Sequence, residues 1–311
     1  AVIVRKFKTD GSELKVDNFP LSLPIAVNGN NQPITVSGSA TSEGTITASS
    51  DGRYAVVVGY AAAPGLAAVA GTKSMATNRV IGRIDRLGNI DTSTRTDTAF
   101  DAANIRSAAT DDGSRFWAAG STGGLQLLPF GKLDPGTQIL ATPANERVAN
   151  VYGGQLYITS GSANYNTMLV VGQGLPTMAG QMATIGMGLV VANASPYGFA
   201  VFDLDGNVAG VDNLYITDDR TAASGGGVQH WTFDGAKWTL VATLNGGLTN
   251  GMRGLAASVT NKVVTLYATT SESAANSLVS IVDQGMAPMA TVLATAPANT
   301  AYRSVCFAPT N

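Results

Sequence analysis

Six residues that could contact a charged ligand recur along the chain at intervals of about 40 to 60 residues. They are Glu43, Arg106, Arg147, Tyr197, Arg253 and Arg303. A guanidinium group can donate two parallel hydrogen bonds to a carboxylate, so arginines at four equivalent positions predict a site for an anionic ligand. Glu43 could neutralise one of the four positive charges, and a bound anion could neutralise the others.

The arginines also have a structural interpretation, which the residues alone leave open. Each arginine could pair with an acidic side chain of a neighbouring repeat, or it could cap the carbonyl groups of a loop. Duplication of a repeat would by itself place an arginine at the same position each time.

Three kinds of function fit these residues. The one we favour is an exported binding or scaffold module for an anionic small molecule or acidic glycan, such as a carboxylate-bearing sugar. The second is an extracellular lyase or glycosidase acting on acidic polysaccharide, which would need an acid or base within reach of the anion. The combination of Tyr197 with several arginines is superficially similar to that of six-bladed sialidases. However, the S-x-D-x-G-x-T-W box of that family is not found in its proper form, so no catalytic residue is assigned. The third is a structural surface protein that binds no small ligand.

The elements that must position these residues are short β-strands. One cycle of four strands is predicted over residues 104–110, 115–120, 124–130 and 137–142, with a turn at Asp111-Asp112-Gly113. Similar cycles begin near Glu43, Arg147, Tyr197 and Arg253, and one more opening strand begins near Arg303. Four strands repeating every 40 to 50 residues are typical of β-propeller blades. No stretch has a sustained helical periodicity, which argues against a parallel α/β sheet.

Five complete cycles with split ends predict an all-β fold, a six-bladed β-propeller with four-stranded antiparallel blades in a single domain, residues 1–311. The closing blade would combine a hairpin in residues 1–18 with a strand in residues 302–311. Pairing of these N- and C-terminal strands would close the ring and remove the exposed edges of an open array. Nothing obvious fills the second position of that blade.

One turn carries a resemblance to a known family. Residues 49–54, Ser-Ser-Asp-Gly-Arg-Tyr, are followed by three valines and resemble the S-x-D-G-R-Y turn of bacterial YncE-like and lactonase-like propellers. The turn at residues 111–113 is a looser copy. The resemblance extends over nearly the whole chain at the level of the fold. It implies no particular activity, because these turns are structural and propellers carry many functions.

An aspartate-rich segment, residues 203–212, is a candidate Ca²⁺ site. Asp203, Asp205 and Asp212 flank a glycine, and short carboxylates with a backbone carbonyl can converge on a hard cation. The pattern is similar to calcium loops of some propeller repeats but lacks the full EF-hand spacing and its terminal glutamate. A plain Asp-Gly turn is the alternative.

His230 and Cys306 are each the only residue of their type. His230 lies beside Trp231 on a predicted strand, which favours a structural role, and without a G-x-S-x-G sequence a Ser-His-Asp hydrolase is not indicated. A single cysteine excludes an internal disulfide, and its apolar neighbours predict a buried, inert thiol.

Composition limits the partners and the compartment. Only 13% of the 311 residues are charged, the net charge is −2, and there is no cluster of lysines or arginines, so nucleic acid is not an expected partner. Residues 148–202 carry no charge, but polar residues, glycines and prolines interrupt them, so no membrane span is expected. Few lysines, one cysteine and an N-terminus without methionine predict a processed protein that is secreted, extracellular or periplasmic.

Overall fold

The computed structural model describes residues 1–16, 18–285 and 287–310. The chain begins with four two-residue strands: β1 (Ile3–Val4), β2 (Lys6–Phe7), β3 (Glu13–Leu14) and β4 (Leu21–Ser22). The predicted N-terminal hairpin forms between β2 and β3, where Phe7 pairs with Glu13. β1 pairs separately with β4, so these strands form two short antiparallel ladders.

The rest of the described chain forms five four-stranded sheets, and within each sheet the strands lie side by side in chain order. The first sheet contains β5 (Ile46–Ala48), β6 (Tyr54–Tyr60), β7 (Arg79–Asp85) and β8 (Ile90–Thr96), and the second contains β9 (Ile105–Ala109), β10 (Arg115–Gly120), β11 (Leu125–Pro129) and β12 (Thr137–Leu140). The third contains β13 (Glu146–Tyr152), β14 (Gln155–Ser160), β15 (Met168–Val171) and β16 (Ala183–Thr184), and the fourth contains β17 (Pro196–Phe202), β18 (Asn213–Asp218), β19 (Gly227–Phe233) and β20 (Trp238–Leu244). The fifth contains β21 (Met252–Thr260), β22 (Val263–Thr270), β23 (Ser277–Asp283) and β24 (Thr291–Thr295). Sequential four-stranded sheets of this kind are the blades of a β-propeller.

The prediction of six blades closed by N- and C-terminal strands is wrong. The described residues form five four-stranded blades, and residues 302–310 belong to no strand. At Tyr302 the main chain is held by a side chain instead: its amide donates to Asn276 Oδ1 at 2.7 Å, and its carbonyl accepts a bond from Asn276 Nδ2 at 2.8 Å. One asparagine side chain therefore satisfies both main-chain groups of Tyr302.

The chain divides into two compact units. The first contains Ala1–Ile158, Val171–Ala183 and Cys306–Asn311, and the second contains Thr159–Val170 and Thr184–Val305.

The second strand of a blade is the most deeply buried. In β6, β10, β14 and β18, every residue after the first is buried, including alternate residues that point to opposite faces. Burial on both faces explains why these strands are nearly continuous runs of apolar and small residues rather than alternating ones. The outermost strands β20 and β24 are largely exposed, so the fourth and fifth blades are less buried at their outer edges than in their second strands.

Hydroxyl groups link each blade to the next at a main-chain group of an innermost strand. The links are Thr47 Oγ1 to the Ala108 carbonyl (2.6 Å), the Ala149 amide to Ser107 Oγ (2.9 Å), Thr159 Oγ1 to the Tyr197 carbonyl (2.7 Å) and Thr217 Oγ1 to the Arg253 carbonyl (2.7 Å). In each link a threonine or serine hydroxyl bonds a main-chain group of the neighbouring blade, which helps to keep the buried polar groups bonded.

Two glycines of the innermost strands permit a close approach in the second unit. A Cβ at Gly198 would lie 2.8 Å from the Arg253 carbonyl oxygen, and a Cβ at Gly254 would lie 2.5 Å from the Ser304 Cα. A side chain at either position would therefore push two segments apart. The glycines that directly follow Tyr197 and Arg253 therefore have a packing reason.

Candidate functional site

In the first unit, Glu43 is a buried acceptor between two blades. It is 1% exposed, and it accepts hydrogen bonds from Tyr60 Oη at 2.7 Å, from the Ser37 amide at 2.8 Å and from Asn104 Nδ2. Burial, and next the charge of Glu43, raise the pKa of Tyr60. Glu43 therefore connects the end of β6 to the start of the second blade.

Arg106 reaches from the second blade to the start of the third. Its Nη1 donates to Asn145 Oδ1 at 2.5 Å and to the Glu146 main-chain carbonyl at 3.0 Å. These two contacts fix the orientation of the guanidinium group, which is partly exposed. Arg147 follows on β13, and its side chain is also partly buried.

Glu146 is the residue in this region that sequence reasoning missed. Its side chain is fully buried, and neither carboxyl oxygen has a hydrogen-bond partner among residues 1–16, 18–285 and 287–310. Burial raises the pKa of Glu146 well above its usual range, and the charge of Arg106 opposes that shift. A glutamate next to Arg147 at a strand start gave no sequence signal of burial, because acidic residues are rarely fully buried.

In the second unit, Arg253 forms an ion pair and a ring contact. Its Nε and Nη2 lie 3.0 and 2.9 Å from Asp219 Oδ2, and its Nη1 donates to the Ser271 carbonyl at 2.6 Å. The guanidinium carbon lies 5.6 Å from the centre of the Tyr197 ring, and Tyr197 is 7% exposed. Arg303 precedes Ser304, whose Cα adjoins Gly254 on β21.

The six predicted ligand residues are thus divided equally between the two units. Glu43, Arg106 and Arg147 belong to the first unit, and Tyr197, Arg253 and Arg303 belong to the second. Binding of an anion by these residues stays a prediction. The structural alternative describes Arg253 well, because three of its nitrogens contact Asp219 and a loop carbonyl.

The predicted calcium ligands form a hydrogen-bonded turn. Asp212 is 1% exposed, and its carboxylate accepts from the Leu204 amide at 2.9 Å, the Asp205 amide at 2.5 Å and Asn213 Nδ2 at 2.7 Å. Asp205 accepts from the main chain and side chain of Asn207, and Asp203 is exposed. Within the described ranges, no group of three acidic, histidine or cysteine side chains is placed to hold a metal ion. The calcium site stays a prediction.

A second cluster that sequence reasoning missed surrounds the single histidine. His230 Nδ1 lies 2.8 Å from Asp283 Oδ2, and His230 Nε2 lies 3.0 Å from Asn213 Oδ1. Tyr215 stacks on the imidazole, with ring centres 4.4 Å apart, and its hydroxyl donates to Asp283 Oδ2 at 2.7 Å. The hydrogen bond from His230 is the main cause that lowers the pKa of Asp283.

The single cysteine and two of the tryptophans have structural environments. Cys306 is partly rather than fully buried, and burial raises the pKa of its thiol to about 12, which disfavours the reactive thiolate. Trp117 is fully buried and its Nε1 donates to the Pro176 carbonyl at 2.8 Å. Trp238 is 8% exposed and packs against the backbone of residues 186–188. Among the described residues, no helix has the length and apolar character needed to cross a membrane.

Comparison with known proteins identifies the fold but no family. No protein-family model matches the chain, and no curated protein matches it. A putative 6-phosphogluconolactonase from Bacteroides uniformis is 16% identical, with a TM-score of 0.51 over 95% of this chain and 78% of that chain. A second putative 6-phosphogluconolactonase, from Bacteroides fragilis, is 12% identical, with a TM-score of 0.49 over 81% of this chain and 70% of that one. The WD40 β-propeller domain of Doa1 is 14% identical, with a TM-score of 0.47 over 85% of this chain and 72% of that one.

The first of these likenesses agrees with the blade topology. The likeness to the Bacteroides uniformis protein and the blade topology together confirm the predicted fold-level resemblance to lactonase-like propellers. At this sequence identity the likeness shows the fold alone.

Proposed function

We propose that this chain is an exported β-propeller binding module for an anionic, carboxylate-bearing ligand, with sugar acids as the first candidates. Arg106 is the primary contact. The proposal for export comes from the low lysine content and the single cysteine.

The observation that carries the proposal is the fixed orientation of Arg106. Its guanidinium is held by the Asn145 side chain and by a main-chain carbonyl at the start of β13. A cation that is already held in place loses less conformational entropy when it binds a ligand. Its planar fork suits a carboxylate better than a flexible ammonium group would.

The state of Glu146 supports the same assignment. Because burial raises the pKa of this carboxyl group well above its usual range, Glu146 is neutral at pH values where an ordinary glutamate is charged. A neutral Glu146 does not cancel the positive charge of Arg106. The electrostatic field near the start of β13 therefore favours the approach of an anion.

Calorimetric titration with sodium D-glucuronate, and with methyl β-D-glucopyranoside as the neutral counterpart, tests the proposal. We expect the wild-type protein to bind the glucuronate only. Hydrogen bonds to charged groups contribute about 1.5–3 kcal/mol, so Arg106→Gln should weaken binding roughly tenfold to a hundredfold. Arg86→Gln is the matched control, because Arg86 lies on the exposed turn between β7 and β8 and loses the same charge.

Two outcomes would contradict the proposal. Equal affinities for the Arg106→Gln and Arg86→Gln variants would remove Arg106 from the binding site. Failure of the wild-type protein to bind glucuronate or any member of an acidic glycan array would remove the anion-binding function. Circular dichroism of both variants establishes that the comparison is made between folded proteins.

A further inference from the structure

The cluster around His230 lies between the fourth and fifth blades, within the second unit. His230 is in the middle of β19 and is the cross-strand partner of Tyr215 on β18. Asp283 is the last residue of β23, in the next blade. The contact between His230 and Asp283 therefore joins two blades through side chains.

The Nδ1 atom of His230 faces an acceptor. Asp283 Oδ2, 2.8 Å away, already accepts the hydroxyl of Tyr215 at 2.7 Å. A carboxylate held by two donors has its charged form stabilised, and the pKa of Asp283 is lowered accordingly. Because the carboxylate only accepts, Nδ1 must carry the proton that lies between them.

The Nε2 atom also faces an acceptor, and a neighbouring contact fixes which atom that is. Asn213 Nδ2 donates to Asp212 Oδ1 at 2.7 Å, so the oxygen of the amide points to His230, 3.0 Å from Nε2. Asp212 cannot donate in return, since it accepts the Leu204 and Asp205 amides. The amide orientation is therefore determined, and Nε2 must donate to Asn213 Oδ1.

A neutral imidazole has one N–H group, whereas these surroundings require two. We infer that His230 is held as a doubly protonated imidazolium that acts as a pH-sensitive clasp between the fourth and fifth blades. Loss of the proton forces the ring to give up either Asp283 or Asn213. In the first case the His230–Asp283 hydrogen bond is lost, and of the described contacts of this cluster only the Tyr215–Asp283 hydrogen bond still joins the two blades. In the second case the hydrogen bond between the ring and Asn213 on β18 is lost.

The titratable groups that face His230 in the described contacts are Asp283 from β23 and Tyr215 from β18. The partner of His230 on β20 is Ala242, which does not titrate. Asp212 acts through Asn213. Of these groups, Asp283 carries a negative charge next to the ring, and an opposite charge at this distance favours the imidazolium form. Histidine is the side chain whose charge ordinarily changes near neutral pH, so the clasp loosens as the solution becomes alkaline.

The chain contains one histidine, so nuclear magnetic resonance can read its ring without assignment ambiguity. In long-range proton–nitrogen spectra of protein labelled with ¹⁵N-histidine, we expect both ring nitrogens of the wild type to be protonated at neutral pH. In Asp283→Asn, which removes the facing charge, one nitrogen should lose its proton at the same pH. Asp234→Asn is the matched control, because it removes a carboxylate from the exposed β19–β20 turn. In this variant both ring nitrogens of His230 should be protonated, as in the wild type.

Urea unfolding across the same pH range provides a second measurement. The free energy of unfolding of the wild type should fall from mildly acidic to mildly alkaline pH by more than that of His230→Gln. A neutral ring in the wild type at neutral pH would overturn the inference. So would parallel stability profiles for the wild type and His230→Gln.

Discussion

Replacing Arg79 with methionine should remove the group that organises the long connection between β6 and β7. Arg79 is fully buried, and its two terminal nitrogens donate to four main-chain carbonyls. Nη1 donates to Thr77 at 2.7 Å, and Nη2 donates to Thr72 at 2.8 Å, Ala103 at 3.0 Å and Ala70 at 3.1 Å. Burial lowers the pKa of Arg79, and its electrostatic interactions with Tyr60, Asp101 and Glu43 oppose that shift.

The expected loss of stability follows from the carbonyls that the substitution leaves behind. Thr77 and Ala103 are buried, whereas Ala70 and Thr72 lie in a largely exposed segment that water can reach. A buried acceptor without a partner costs about 1–3 kcal/mol, so two of them cost about 2–6 kcal/mol. Removing a desolvated charge offsets part of this cost, which leaves about 2–5 kcal/mol.

Methionine is the useful replacement because it keeps the apolar stem. The guanidinium carbon of Arg79 lies 5.0 Å from the Tyr60 ring, and a methionine still packs there while donating nothing. Urea unfolding measures the change in the free energy of unfolding, and limited proteolysis measures the opening of residues 61–77. We expect this segment to be cleaved faster in Arg79→Met.

Arg86→Met on an exposed turn is the control and should change stability by less than about 0.5 kcal/mol. A loss below about 1 kcal/mol in Arg79→Met, with unchanged proteolysis, would refute the assignment of Arg79 as the organiser of this connection.

Two further predictions concern a buried acid and a close approach. Because the folded protein raises the pKa of Glu146, this group contributes stability that is fully present below its unfolded pKa and is lost as the pH rises towards its folded pKa. Glu146→Gln should therefore have a higher free energy of unfolding than the wild type at neutral pH and a similar one near pH 4. Equal differences between the two proteins at both pH values would contradict this. Gly198→Ala places a Cβ 2.8 Å from the Arg253 carbonyl oxygen, so we expect a loss of about 1–3 kcal/mol in urea unfolding. Gly206→Ala, where nothing lies within 4 Å of the added Cβ, is its control, and a similar loss in both variants would show that packing is not the cause.

The blade pattern was predictable because it is local. The predicted strands 104–110 and 115–120 correspond to Ile105–Ala109 and Arg115–Gly120. The turn at residues 49–54 forms with Gly52 at a φ of 76°, and Asp51 accepts from Ser49 Oγ and from the Arg53 amide. Turn chemistry and strand propensity act over a few residues, so the order of residues contains them.

The number of blades was not predictable in the same way. The apolar run at residues 302–307 has the composition of a strand, but it forms none, and the main-chain groups of Tyr302 at its start are bonded by the Asn276 side chain. Whether an extended segment becomes a strand depends on which partner satisfies its polar groups.

For the candidate site, the residue order determined which side chains recur near the starts of the five blades, because repeats keep equivalent positions in register, although Arg303 lies in no strand. It did not determine their partners. Arg253 meets Asp219, Glu43 meets Tyr60 and Asn104, and Glu146 is buried without a hydrogen-bond partner in the described ranges. Those pairings depend on contacts between blades that are tens of residues apart, and only tertiary packing decides whether a charge is exposed, paired or buried.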